Sequence, residues 1–178
     1  MTPIEVLMHE HEIILMVLGK AEQEAQRMQE SGQVNAEKAE QMVDFIQNFA
    51  DRCHHAKEED LLFVRMRERG MPVQGGPIGV MLMEHVEGRR LVKAVAEALP
   101  DAAKGDAQAV AAVRDNLSGY VRLLRAHIGK EDNVLYPMAE RMLTAEDQEW
   151  LAKEFDRVEA EEMGDGVHEK YHEIAHSL

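Results

Sequence analysis

One pattern of residues occurs twice in this chain, and the rest of the sequence is arranged around it. Arg52, His54, Lys57, Glu58 and Leu62 return as Arg125, His127, Lys130, Glu131 and Leu135, each displaced by 73 residues. On an α-helix, a His and a Glu four positions apart stand about 40° from each other, one turn above the other. An imidazole nitrogen and a carboxylate oxygen can then reach one point in space. Two such helices facing each other bring two His and two carboxylates to a shared centre, the arrangement of a dinuclear carboxylate site inside a helix bundle.

A single His-x-x-x-Glu pair is weak evidence, because most are solvated surface pairs. The duplication extends upstream. Each copy is preceded by Glu-His within an apolar helical pattern, Glu10-His11 and Glu84-His85, with His11 43 residues before His54 and His85 42 residues before His127. The chain therefore reads Glu-His … His-x-x-x-Glu, twice. His11, His54, Glu58, His85, His127 and Glu131 form the candidate donor set for two metal ions. Glu10 and Glu84 point about 100° away from their neighbouring His and read as surface acids. His9 and His55 fall outside the set, so replacing either should leave metal binding nearly normal.

Composition narrows the fold and the partners. The 178 residues suit one domain with a substantial core. Aromatics make up only 4%, Met is abundant at 12 residues, and no alternating β-branched runs occur, which suits helices and argues against a sheet. The net charge of −14 lacks the basic footprint of a nucleic-acid binder and repels anionic membrane. No apolar run approaches the roughly 18–20 residues of a membrane span, and Glu5, His9, Glu10, His11 and Glu12 leave no room for a signal peptide in residues 1–18. A cytoplasmic protein is expected. The single cysteine, Cys53, excludes an intramolecular disulfide and reads as a small buried hydrophobe.

Taken in order, helix A starts at Thr2-Pro3 and ends at Ser31-Gly32, with Leu7, His11, Ile14, Leu15 and Leu18 on its apolar face. Asn35 caps helix B, which runs to about Arg69. The Gly- and Pro-rich segment 70–77 separates the two halves of the repeat. Helix C runs from about Ile78 to Leu99, stopped by Pro100, with Val80, Met81 and His85 inward. Helix D opens in the Ala-rich segment 102–112, carries His127, Glu131 and Val134 inward, and should bend at Pro137. Thr144 and Asp147 form a capping box for a further helix. The acidic run 159–162 reads as a solvated face. Gly164 and Gly166 interrupt the pattern before a short terminal helix bearing His168, His172 and His176. The expected architecture is all-α: an antiparallel four-helix bundle over residues 1–143 and a C-terminal helical extension, 144–178, packed on it.

With these residues assembled, the chain resembles the hemerythrin-like His-His-Glu cation-binding domain over about residues 3–143. The resemblance implies a left-handed bundle holding two iron ions, with His11 from helix A, His54 and Glu58 from B, His85 from C, and His127 and Glu131 from D as ligands. It implies bridging by the two Glu and by an oxo, hydroxo or water ligand. Two departures matter. Oxygen carriers of the family place a second His four residues after the helix C ligand, where this chain has Arg89. They also use His-x-x-x-x-Asp on helix D, so Asp132 competes with Glu131, although the internal repeat favours Glu131. The missing His leaves one iron a ligand short of the carrier set. The hinged tail offers His168, or His172 or Tyr171, to approach that open side. The resemblance implies binding or reduction of a small oxidant (O2, NO or H2O2), with weak peroxide or NO reduction as the possible enzyme activity. The alternative is an iron-dependent sensor, or a protein of iron handling or iron–sulfur repair, without turnover of its own.

Overall fold

The computed structural model describes residues 1–178. It is all-α, with six helices: α1 (Pro3–Ser31), α2 (36–68), α3 (Pro77–Ala103), α4 (107–142), α5 (145–163) and α6 (Val167–Ser177). Thr2 and Glu5 form a capping box ahead of α1, with Pro3 at the first helical position. The helix stops at Gly32, whose φ of 68° is the left-handed conformation that a residue with a Cβ avoids. Asn35 and Asp106 cap α2 and α4 by accepting from the backbone amides of Lys38 and Ala109.

Residue pairs between helices fix the topology. Along α1 and α4, His11 meets Asp132 while Glu22 meets Arg125. Along α1 and α2, Glu10 meets His54 while Glu24 meets Lys38. Along α2 and α3, Glu59 meets His85 while Asp51 meets Arg89. In each case position rises on one helix as it falls on the other, so the four long helices run antiparallel. Helices α5 and α6 lie against α1 and α2, and Met163, Tyr171 and Ala175 join the main core.

One proline behaves differently from expectation. Pro100 lies inside α3, which continues to Ala103. The donor it lacks falls in the last turn, where water can satisfy the freed carbonyl. Pro137 does not end α4, because the i→i+5 turn Glu131–Leu135 immediately precedes it. The register shift puts the proline in the first turn of the resumed α-helix, where its missing N–H is tolerated. Leu15, Val80 and Val134, expected on buried faces, are exposed. No helix is long and apolar enough to cross a membrane.

The apolar core is split. One cluster fills the bundle from Ile13 and Phe45 to Leu99 and Val113, and a smaller one gathers Ile4, Leu7, Leu62, Met66, Met81 and Tyr136 at the other end. Between them lies a layer of buried polar groups: His11, His54, His55, His85, His127, Glu10, Glu58 and Glu131. A buried polar layer costs stability unless every group in it is satisfied, so this layer is the part of the core that packing does not explain.

Candidate metal centre

The polar layer sits where two helices depart from α geometry. Helix α2 adopts i→i+5 bonding over Ile46–His55 and Glu58–Leu62, and α4 does so over Glu131–Leu135. The second and third of these turns begin at Glu58 and Glu131, the same position in the repeat. Such turns hold more residues per turn than the α-helix, so successive side chains diverge less. In α2 this lets His54 and His55 both point into the bundle, where an ordinary α-helix would turn one of them away.

Two groups of donors converge. His11, His54, Glu58 and Glu131 form one; His55, Glu58, His85 and His127 form the other. The two carboxylates span them. One oxygen of Glu58 is 3.7 Å from His54 Nε2 and the other is 3.3 Å from His85 Nε2. Glu131 places one oxygen 3.1 Å from His11 Nε2 and the other 3.0 Å from His127 Nε2. The structure therefore brings together all six residues the repeat singled out, and adds His55. The His55 ring stacks on His85 with centroids 3.9 Å apart, in a buried position that the sequence reading did not assign to it.

Four acids hold the outer nitrogens. Nδ1 of His54 donates to Glu10 (2.8 Å), of His11 to Asp132 (2.7 Å), of His85 to Glu59 (2.8 Å) and of His127 to Glu84 (3.1 Å). The links run from α1 to α2, α2 to α3, α3 to α4 and α4 to α1, a closed ring. Glu10 and Glu84 are thus orienting partners, which corrects their reading as surface acids; a Glu side chain is long enough to reach the next helix even when its Cβ points away from its neighbour. Asp132 sits on the outer nitrogen of His11 while Glu131 points inward. Arg89 pairs with Asp51 and Glu59, so it steadies the acid behind His85.

This ring fixes a proton on each Nδ1 and turns the Nε2 lone pairs inward. His85 Nε2 and His127 Nε2 are then 3.0 Å apart, a repulsive contact unless positive charge lies between them. His54 Nε2, one oxygen of Glu58 and both oxygens of Glu131 are buried without a hydrogen-bond partner. Orphaned buried acceptors that all face one volume are what a bound cation satisfies. Without metal, protons take part of this role. Burial opposes charge on His11 and His85, yet the carboxylates facing them raise both: Asp132 and Glu131 bring His11 to about 10, and Glu58 and Glu59 bring His85 to about 9. Burial and the neighbouring His85 push His55 down to about 3, which keeps it a neutral base. Imidazole with carboxylate is a donor set for Fe, Mn or Zn, and no thiolate is present to favour Cu(I). Cys53 is fully buried and its thiol is pushed up to about 12 by desolvation.

The tail does not join either group of donors. His168 lies with Glu10 and Glu159 and packs on Phe49. His172 and His176 face each other, and Tyr171 packs among Phe45 and Phe49. The acidic run is not wholly a solvated face, since Glu159 accepts from Lys57 at 2.7 Å. Lys57 is fully buried and also donates to Glu10. Tyr136, which sequence reasoning passed over, is fully buried and donates to Glu58 at 2.5 Å. A cavity of about 260 Å³ opens beside the second group, bounded by Asp51, His55, His85, Gly88, Arg89 and Tyr120.

Three curated relatives, all uncharacterized proteins, one from Mycobacterium bovis and two from strains of Mycobacterium tuberculosis, are each 25% identical over 164 residues, covering 92% of this chain. The chain spans 64% of the length of each of these relatives. No solved structure matches. Residues 2–139 match the hemerythrin HHE cation binding domain, and on that match across the whole bundle the chain belongs to the hemerythrin HHE cation-binding family.

Proposed function

We propose that this chain is a di-iron protein that binds or reduces small oxidants, O2, NO or H2O2. The observation that carries the reading is the set of inward-facing acceptors without partners, His54 Nε2 and oxygens of Glu58 and Glu131, within two groups of donors that share Glu58, Glu131 also lying 3.0 Å from His127 of the other group. Glu58 and Glu131 would be shared by the two ions, His11 and His54 would hold one, and His55, His85 and His127 would hold the other. The four acids on Nδ1 keep the rings in register and raise their basicity. A structural zinc site would use four donors and favour Cys, whereas this set offers more donors and no thiolate. Iron bound here supplies a one-electron couple and a coordination position for a diatomic or peroxide. The chain's own contribution is a dry, acid-balanced cage, with the cavity at Gly88 and Arg89 giving small molecules access to the His55 side.

A second reading, an iron-dependent sensor or iron-handling protein without turnover, is favoured by one specific contact. Lys57 connects Glu10, behind His54, to Glu159 on α5, so occupancy of the centre is mechanically linked to the tail. Peroxide consumption by the iron-loaded protein separates the two. Repeated turnover with iron retained supports oxidant handling. Loss of iron, or a change in protease sensitivity of the 159–167 segment without turnover, supports the second reading.

A further inference from the structure

The phenol of Tyr136 occupies a place that the other half of the repeat fills with carbon alone. Displaced by the same 73 residues stands Phe63. Both rings lie nearly parallel to a ligand imidazole: Tyr136 along His11, with centroids 5.3 Å apart and an angle of 11°, and Phe63 along His85, at 6.2 Å and 18°. Packing against the imidazole is therefore met by a phenyl ring, as position 63 shows. The hydroxyl is an addition, and a buried hydroxyl costs stability unless it has a partner. It is placed at the centre, 2.5 Å from Glu58 Oε1 and 3.3 Å from His11 Nε2. Those separations match the spacing among the donors themselves, 3.1 Å between His11 Nε2 and Glu131 and 3.7 Å between His54 Nε2 and Glu58.

The repeat shows a matching asymmetry on the other side. His55 in the first copy corresponds to Ile128 in the second, and His55 belongs to the group built on His85 and His127. That group thus has three imidazoles beside the shared carboxylates, while the group built on His11 and His54 has two. Tyr136 is the only further side-chain oxygen or nitrogen that donates to one of the bridging carboxylates.

We propose that Tyr136 binds the metal held by His11 and His54 directly, through its phenolate oxygen, which gives the two ions equal numbers of protein donors. This rests on the reading that the centre holds iron. In the metal-free chain the phenol proton lies in the hydrogen bond to Glu58; when the oxygen binds metal that proton is released to solvent, as deprotonation of a ligand requires. A phenolate is a hard anionic donor and favours ferric over ferrous iron, so the ion next to Tyr136 is the more easily oxidised of the two.

The test is resonance Raman scattering on the full chain, loaded with ferrous iron and oxidised in air, with iron measured on the same samples. The expected result is a visible charge-transfer band whose excitation enhances tyrosinate ring vibrations. In Tyr136→Phe, band and vibrations vanish while iron is retained. Tyr120→Phe and Tyr171→Phe, the other two tyrosines, keep both. Iron-loaded wild type without tyrosinate vibrations overturns the assignment, as do vibrations that persist in Tyr136→Phe. Absence of bound iron in the wild type overturns the di-iron reading itself, and the iron measurement tells the two failures apart. Tyr136→Phe removes only one oxygen; should that variant not fold, vibrations that persist in both Tyr120→Phe and Tyr171→Phe assign them to Tyr136, and their loss in either overturns the assignment.

Discussion

The half of the bundle formed by α1 and α2 and the half formed by α3 and α4 carry the same pattern but face different surroundings. In the first, Glu10 holds His54 and is itself held by Lys57, and both side chains are out of contact with solvent beneath α5. In the second, Glu84 holds His127 and is held by Lys130, whose side chain is 45% exposed. The accessible cavity also lies on the second side, next to His55 and His85. The same acid–lysine device is therefore a locked core element in one half and a solvated clasp in the other. The two copies of the repeat thus set their acid–lysine pairs in one closed and one approachable surrounding.

The largest expected effect comes from a residue the halves share. Glu58→Ala should remove most of the bound iron from both positions, read by elemental analysis, because it takes a bridge away and leaves neighbouring buried groups uncompensated. Full iron occupancy in this variant would sink the bridging assignment. Next, His55→Ala should reduce bound iron from about two to about one per chain, since its ring serves the second half alone. The corresponding position in the second copy of the repeat holds Ile128, and Ile128→Ala should leave the iron content unchanged. Equal losses in these two variants would show that the asymmetry between the halves is not one of ligands.

The paired acids give a graded comparison. Glu10→Gln should cost about 3 kcal/mol of fold stability, at the low end for breaking a buried ion pair because Glu159 still faces Lys57. Glu84→Gln should cost only about 0–1 kcal/mol, since Lys130 is solvated. Both should weaken metal binding roughly 10–100-fold through the loosened imidazole. Denaturant melts that show equal losses of stability would contradict the closed and open distinction. The smallest effect is kinetic. A Cβ at Gly88 meets Tyr120 at 3.4 Å in the cavity wall, so Gly88→Leu should slow azide binding to the oxidised centre while leaving its iron content intact. An unchanged binding rate would place the entry route elsewhere.

Much of this was legible in the sequence because two constraints coincided there. His-x-x-x-Glu puts both donors on one helix face, and repetition at one offset made chance an inadequate explanation, so the four long helices and their six inward donors could be read directly. His55 could not, because its burial depends on the i→i+5 bonding of α2, which leaves no trace in a hydrophobic period. Glu10, Glu59, Glu84 and Asp132 were legible in principle: Glu59 and Asp132 share the 73-residue offset, as do Lys57 and Lys130. Same-helix angles place Glu10 and Glu84 on the surface, although these side chains act across helices, and the spacing presents Asp132 as a rival of Glu131 rather than as the acid behind His11. The tail was the least readable part. His168, His172 and His176 share a helix face, but Phe45 and Phe49 set where that helix docks, and its contacts run to Glu10 and Lys57 rather than to the donors.

The central claim, that Glu58 and Glu131 join two groups of donors into one centre, is tested most directly by anaerobic titration of the metal-free protein with ferrous iron, followed by measurement of iron bound per chain. The account predicts saturation at two ions per chain. Saturation at one ion, or none retained, would contradict it.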